Sequence, residues 1–368
     1  MTRRITSSDI ARAAGVSQTT VSFVLNKTEG TSISAKTKAR VLSAAEALGY
    51  VPNSAARTLV SGRSYTLGLL LARGDLMSFD AFAPSLMFGI SRVCNLHGYK
   101  LLVEAVEPGS RRNAYFDLAR SKSIDALIVL NSNSEDDGLV RLIESNFPVI
   151  LFSSIHHPKE NSVSPNTATA VEQVARHLVE LGHRRIAHIT YAPLRYIGAS
   201  ERLKSFQRAL DRAKVDFNDS WVGIGEFSVE SGCRAMRTLL ERRPRPTALF
   251  AGNDTIALGA ISALHDAGLT VPGDVAIVGF DDLPIAAYVS PKLTTVATQA
   301  IAQGEQAALA AIDLLKGQSV GKRNCHLSLE LVVRQSCGGA KQNGPLEERR
   351  LISPSNPNLL ACARPSAG

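Results

Sequence analysis

No stretch of the 368-residue chain is long and apolar enough to span a bilayer, which argues against a membrane anchor. The N-terminus, MTRRITSSDIARAAG, opens with arginines, but the uninterrupted apolar run of a signal peptide does not follow, so the expected location is the cytoplasm. Five cysteines (Cys94, Cys233, Cys325, Cys337, Cys362) are scattered without C-x-x-C spacing, and the adjacent His156 and His157 would point apart on a strand. Neither set suits a metal, and the two histidines are expected at the surface. The chain also lacks G-x-S-x-G and G-x-x-x-x-G-K-[ST], so no catalytic residue, metal or cofactor is expected and an enzyme is disfavoured. What remains is a globular protein, 45% hydrophobic, with length for two or three domains.

Positive charge is present and unevenly placed. Of the net +8, residues 1–62 carry eight Lys/Arg against three acids, or +5. Residues 341–368 carry four against two, or +2, which leaves +1 for the long middle. A basic head on a near-neutral body suggests a polyanionic partner for the head alone, although a solvated basic face would look the same.

Within that head, DIARAAGVSQTTVSFVLN (Asp9–Asn26) is too rich in Ala and Val for a loop and too broken by Gly15 for one helix. Ile10, Ala14, Val16, Val21, Val24 and Leu25 fit the inner faces of two short helices, with Gly15 as the left-handed turn between them. Ser17 is placed to cap the second helix. Gln18, Thr19, Ser22 and Phe23 then face outward, as in a helix-turn-helix whose second helix enters a major groove. Gln18 can pair with adenine, Thr19 can offer a hydroxyl or methyl, and Phe23 can lie on a thymine methyl. Thr20 and Ser22 suit phosphate oxygens. These residues taken alone fit an ordinary capped hairpin equally well. Ser34–Tyr50 follows as a third, capped helix with Val41, Leu42, Ala45 and Leu48 as its expected buried stripe and Gly49 as its stop. Beyond Pro52, Ala55–Val60 could form a short helix too small to be stable alone.

From Tyr65 onward, apolar runs (TLGLLLA, YKLLVEAV, IDALIVL, FPVILF, RRIAHIT, PTALFAG, DVAIVGF) alternate with helical stretches such as 85–97, 167–181, 203–213 and 255–267. This is a doubly wound α/β pattern of parallel strands, too long for one sheet and better divided between two lobes. In such folds ligands lie beyond the carboxyl ends of strands. Asn253 with Asp254, Asp281 with Asp282, and Arg202 occupy such places and could serve a sugar or a purine. Asn-Asp after a strand is, however, commonly just a helix cap.

The stretches AGVSQTTVSFVLN, SAKTKARVLSAAEALGYVPN, AARTL, LVELGHRRIAHI, ERLKSFQRAL, ALFAGNDTIALGAISALHDAGLTVPGDVAIVGFDD and SPKLTTV together resemble the lactose/galactose repressor family of bacterial transcription regulators, from about Thr6 to about Arg334. The resemblance implies a helix-turn-helix domain over 1–50, a hinge over 51–62 and a two-lobed, periplasmic-binding-protein-like core over 63–340. It also implies a homodimer on a palindromic operator, with a small-molecule effector held between the lobes. Hinge residues Asn53, Ala56 and Arg57 would line the minor groove and backbone, and Leu59 would wedge open a base step. Arg202, Asn253 and Asp281 would be effector ligands, with Phe227 as an aromatic wall. Phe79, Asp80 and Phe82 would stand at the pocket mouth, ahead of a subunit-pairing helix. Four departures are Phe23 where many members carry Arg, the stretch KTEGTSIS, about two residues longer than in the type member, Ser205 for a usual Gly, and Ser153 where the type member has Asp. The tail from Lys341, rich in Pro, Ser and Asn, falls beyond the resemblance and is expected to be disordered. The rival reading, a periplasmic sugar receptor, has no use for the first 62 residues.

Overall fold

The computed structural model describes residues 5–25, 30–50, 58, 62–71, 81–105, 114–133, 136–325 and 327–339. Asn53, Ala56, Arg57, Leu59, Phe79, Asp80 and the tail from Lys341 lie outside them. The chain divides into two units, Met1–Asn166 with Arg195–Gly198 and Gln299–Leu327, and Thr167–Leu194 with Ala199–Thr298 and Ser328–Gly368.

The first unit begins with three helices, α1 (Ser7–Ala14), α2 (Gln18–Leu25) and α3 (Ala35–Ala47). A capping box of Thr6 and Asp9 starts α1, and Gly15 ends it in the left-handed region at φ 62°. Ser34 caps α3 through the Thr37 amide at 3.2 Å. Ile10, Ala11, Ala14, Val21, Val24, Val41 and Ala45 form the core of these helices, with Val16 and Leu25 packed at its margin. The expected stripe of α3 holds only in part. Leu42 is 54% and Leu48 39% exposed. Leu42 lies about 100° around the helix from Val41, and Leu48 is already the C-cap, so a core this small closes without either.

The rest of that unit is a six-stranded parallel sheet in the order β11-β5-β4-β3-β1-β2. Its strands are β1 (Thr66–Leu71), β2 (Lys100–Ala105), β3 (Ala126–Leu130), β4 (Val149–Leu151), β5 (Ser162–Pro165) and β11 (Lys322–Cys325). Alternate side chains go to opposite faces. Leu67, Leu69 and Leu71 pack with α4 (Phe82–Leu96) and α11 (Ala300–Leu315), while Leu70, Leu127 and Val129 pack with α5 (Ala114–Arg120) and α6 (Asp137–Glu144). Phe82 is partly buried and packs against the first of these cores. The histidine pair is not on a strand: His156 is exposed in the loop after β4, and the backbone N–H of His157 donates to Glu160 at 3.1 Å.

Two glycines let α4 and α11 cross at close range. A Cβ on Gly304 would stand 2.2 Å from the Leu86 carbonyl oxygen, and one on Gly89 would stand 2.0 Å from that of Ile301. Gly304→Ala should therefore force the helices apart and destabilise this unit by about 1–3 kcal/mol. A lowered urea midpoint by circular dichroism is the expected result; an unchanged midpoint would contradict the close crossing.

The second unit repeats the plan with a four-stranded parallel sheet, β7-β6-β8-β9, built from β6 (Ile186–Ile189), β7 (Val222–Gly223), β8 (Ala248–Ala251) and β9 (Ala276–Val278). One face packs Ile186, Ala248, Phe250 and Val278 against α7 (Thr167–Glu180) and α8 (Ile197–Arg212). The other packs Ala187, Ile189, Leu249, Ala251 and Ile277 against α9 (Val229–Leu240) and α10 (Asp254–Asp266). A short antiparallel ladder of β10 (Thr295–Ala297) and β12 (Glu330–Val332) completes it. The expected α/β class and all seven apolar runs are thus found as parallel strands, but α8 begins six residues before the expected Leu203. No described helix is long and apolar enough to cross a membrane.

Candidate functional site

Two places carry the residues singled out from the sequence. The first is the amino-terminal turn of α2. Ser17 accepts a hydrogen bond from the Thr20 amide at 3.1 Å, and the Ser17 and Thr20 hydroxyls lie 2.9 Å apart, so Thr20 is partly occupied by the cap. Gln18 and Thr19 are exposed, Phe23 is 39% exposed, and Ser22 is half-buried. The Gln18 amide donates to the Ser7 hydroxyl at 2.8 Å, a tie to the start of α1 that no local pattern reveals. α2 carries no acid in its first turn, so its outward face opposes nothing to a polyanion.

The second place is the carboxyl end of the second unit's sheet. After β6 come Thr190 and Tyr191, after β8 Gly252 and Asn253, and after β9 Gly279, Phe280 and Asp281. Arg202, reaching in from α8, binds them together. Its guanidinium lies over the Phe280 ring at 3.8 Å and the Tyr191 ring at 4.8 Å, and Nη1 donates to the Gly252 carbonyl. Its Nε is buried and has no acceptor among the described residues. Burial lowers the Arg202 pKa, while Tyr191 and the Asp281 carboxylate act in the opposite sense. The guanidinium therefore has two rings within cation–π reach and one donor spent on a backbone carbonyl.

The other expected ligands take less uniform positions. Asn253 is 3% exposed and its side-chain oxygen accepts from the Ile256 amide at 2.9 Å, so the cap has claimed its acceptor. Phe227 is 3% exposed, stands at φ 65°, and meets Tyr191 edge to face at 5.7 Å. Asp281 is half-buried at φ 121°, with its amide donating to Val296 at 2.9 Å and its carbonyl accepting from Thr298 at 3.2 Å. Ser205 is buried in α8 and accepts from Arg208 at 3.1 Å, while Ser153 is half-buried after β4.

Sequence reasoning missed Tyr191 and Phe280, the two rings that hold Arg202. Both directly follow a strand run, so the strand-end rule applied to aromatics would have found them. Among the described residues no group of three or more His, Cys, Asp or Glu side chains could hold a metal ion.

Residues 6–53 match the family described as bacterial regulatory proteins, lacI family, and residues 175–337 match a periplasmic binding protein-like domain. The HTH-type transcriptional repressor PurR of Aliivibrio fischeri is 33% identical over 334 residues, covering 89% of this chain and 97% of the relative. Among solved structures, the lac repressor dimer bound to operator and the anti-inducer ONPF aligns with a TM-score of 0.79 at 28% identity, covering 91% of this chain and 99% of that one. The transcriptional regulator CelR in complex with cellobiose aligns with a TM-score of 0.70 at 28% identity, covering 90% and 100%. With that breadth of likeness added to a three-helix head and an α/β body of two parallel sheets, the chain belongs to the lacI family of bacterial regulatory proteins, DNA-binding transcription regulators under effector control.

Proposed function

We propose that the protein is a repressor that reads a palindromic operator as a homodimer, acts in the cytoplasm, and responds to a sugar or related hydroxylated metabolite bound at the carboxyl end of the second unit's sheet. The observation that carries the effector reading is the Arg202 guanidinium, fixed by Tyr191, Phe280 and the Gly252 carbonyl with its buried Nε unanswered. Asp281 supplies a carboxylate acceptor beside it, Phe227 an apolar wall and Asn253 the free end of its amide. The likeness to the cellobiose complex supports a sugar, and a purine stays among the compounds to be tried because an arginine, an amide and a carboxylate can serve it as well.

On the DNA side, two copies place α2 in successive major grooves. Gln18 and Thr19 read base edges, Phe23 offers an apolar contact, and Thr20 and Ser22 hold phosphate. Asn53, Ala56, Arg57 and Leu59 make the minor-groove contacts of the hinge. The effector changes operator affinity only through its differential affinity for the two states of the regulator.

Selection from a randomised duplex library at fixed salt tests the DNA reading. The parent should enrich a palindrome, and Gln18→Ala should relax one symmetric position by about 1–3 kcal/mol of discrimination. Failure to enrich a palindrome removes the operator reading; an unaltered preference in the variant removes the role of Gln18 alone.

A further inference from the structure

Asp254 is fully buried in the first turn of α10, and neither the effector reading nor the DNA reading uses it. Its carboxylate lies behind the turn that carries Asp281. One oxygen accepts from the Leu283 amide at 2.8 Å and the other from the Thr295 hydroxyl at 2.5 Å. The same Thr295 hydroxyl accepts from the Asp282 amide at 3.3 Å, and the Asp282 carboxylate is paired with Arg334 at 2.6 Å. Between these ties the backbone holds two successive left-handed residues, Asp281 at φ 121° and Asp282 at φ 54°. Neither is glycine, and each costs of order 1–3 kcal/mol unless its surroundings enforce it.

We propose that Asp254 is a positioning residue for the effector site, and that its ionised carboxylate is the clasp holding the Asp281–Leu283 turn in its strained form. This rests on the reading of Asp281 as an effector ligand. A carboxylate accepts from both Leu283 and Thr295, and charge-assisted bonds of this kind are about twice as strong as neutral ones. A proton on the oxygen facing Thr295 reverses that bond, because the hydroxyl can no longer donate to it. The charged groups facing Asp254 are Asp282, from the turn, which raises its pKa, and Arg334, after β12, which lowers it. Burial is the largest influence, and the outcome is a pKa pushed up to about 7. The clasp therefore changes state across the neutral range.

Hydrogen exchange by NMR on the full-length protein tests this without any effector. After correction for intrinsic rates, protection of the Leu283 amide should fall several-fold as pH drops from 8 to 6. Over the same interval burial of the Asp254 charge is relieved and the unit as a whole gains stability, so a merely structural carboxylate would move protection the other way. Asp254→Asn should flatten the profile, and so should Thr295→Val, which retains Asp254. A flat or rising profile in the parent on lowering pH, or the same fall in Asp254→Asn, overturns the clasp. That failure is separable from failure of the effector reading, which would appear as a normal effector response in Arg202→Ala.

Discussion

Arg202→Ala will bind operator as tightly as the parent and lose its response to the effector. The expectation follows from where the guanidinium spends its donors. Nη1 is committed to the Gly252 carbonyl, the Phe280 and Tyr191 rings lie within cation–π reach, and Nε is buried without a partner among the described residues. A ligand oxygen that meets the guanidinium completes a charge-assisted bond in a largely desolvated site, worth about 1.5–3 kcal/mol, which is roughly 10- to 150-fold in affinity. α2, proposed to read DNA, lies in a different unit within a three-helix core of its own and should be untouched. Arg202→Lys should fail nearly as badly, since an ammonium cannot stack between two rings while bonding a carbonyl on one side and a ligand on the other. The measurement is a thermal-shift screen of the parent against sugars, nucleosides and purines, repeated on the variants with whichever compound shifts the parent. A variant that keeps the parental shift would remove Arg202 from the site.

The parts of this molecule that could be read from sequence are those fixed by local rules. Gly15 and Ser17 announce a turn and a cap whatever surrounds them, and both are found as expected. The seven apolar runs became strands because a parallel sheet covered on both faces needs continuous apolar residues. β5 (SVSP) and the two-residue β7 lack that signature, since they lie toward sheet edges and are defined by their neighbours. Amphipathic spacing in α3 overstated its buried face because the pattern does not report how small the core is. The same limit applies to the effector site. Strand-end position pointed to Asn253 and Asp281, but that the Asn253 oxygen caps α10, or that Gln18 reaches Ser7, depends on contacts between segments whose packing the sequence does not print. Asp254 was visible as a polar residue beside Asn253; its burial came only with the fold.

Asp254→Asn should stabilise the second unit above neutral pH and leave it little changed in acid. The parental carboxyl has a folded-state pKa of about 7 against an ordinary value of 3.8. Its folded pKa is raised, so the folded state holds a proton that the unfolded chain releases between those values. The stability linked to this group is therefore fully present below 3.8 and lost as pH rises toward 7, about 4 kcal/mol in all. Asparagine keeps the shape, with its oxygen able to accept from Leu283 and its amide nitrogen able to donate to the Thr295 oxygen, and it carries no charge to bury. The difference between variant and parent should thus widen in favour of the variant by roughly 2–3 kcal/mol from pH 5 to pH 8. Trp221, the chain's one tryptophan, sits in the same core cluster as α10 and reports this unit's unfolding in urea by fluorescence. A difference that stays constant with pH would mean that Asp254 is ionised throughout and its burial offset by other groups. If the clasp also operates, the same substitution that strengthens the unit loosens the Asp281 turn: a buried charge retained at a cost in stability because it holds two strained residues where a ligand can meet them.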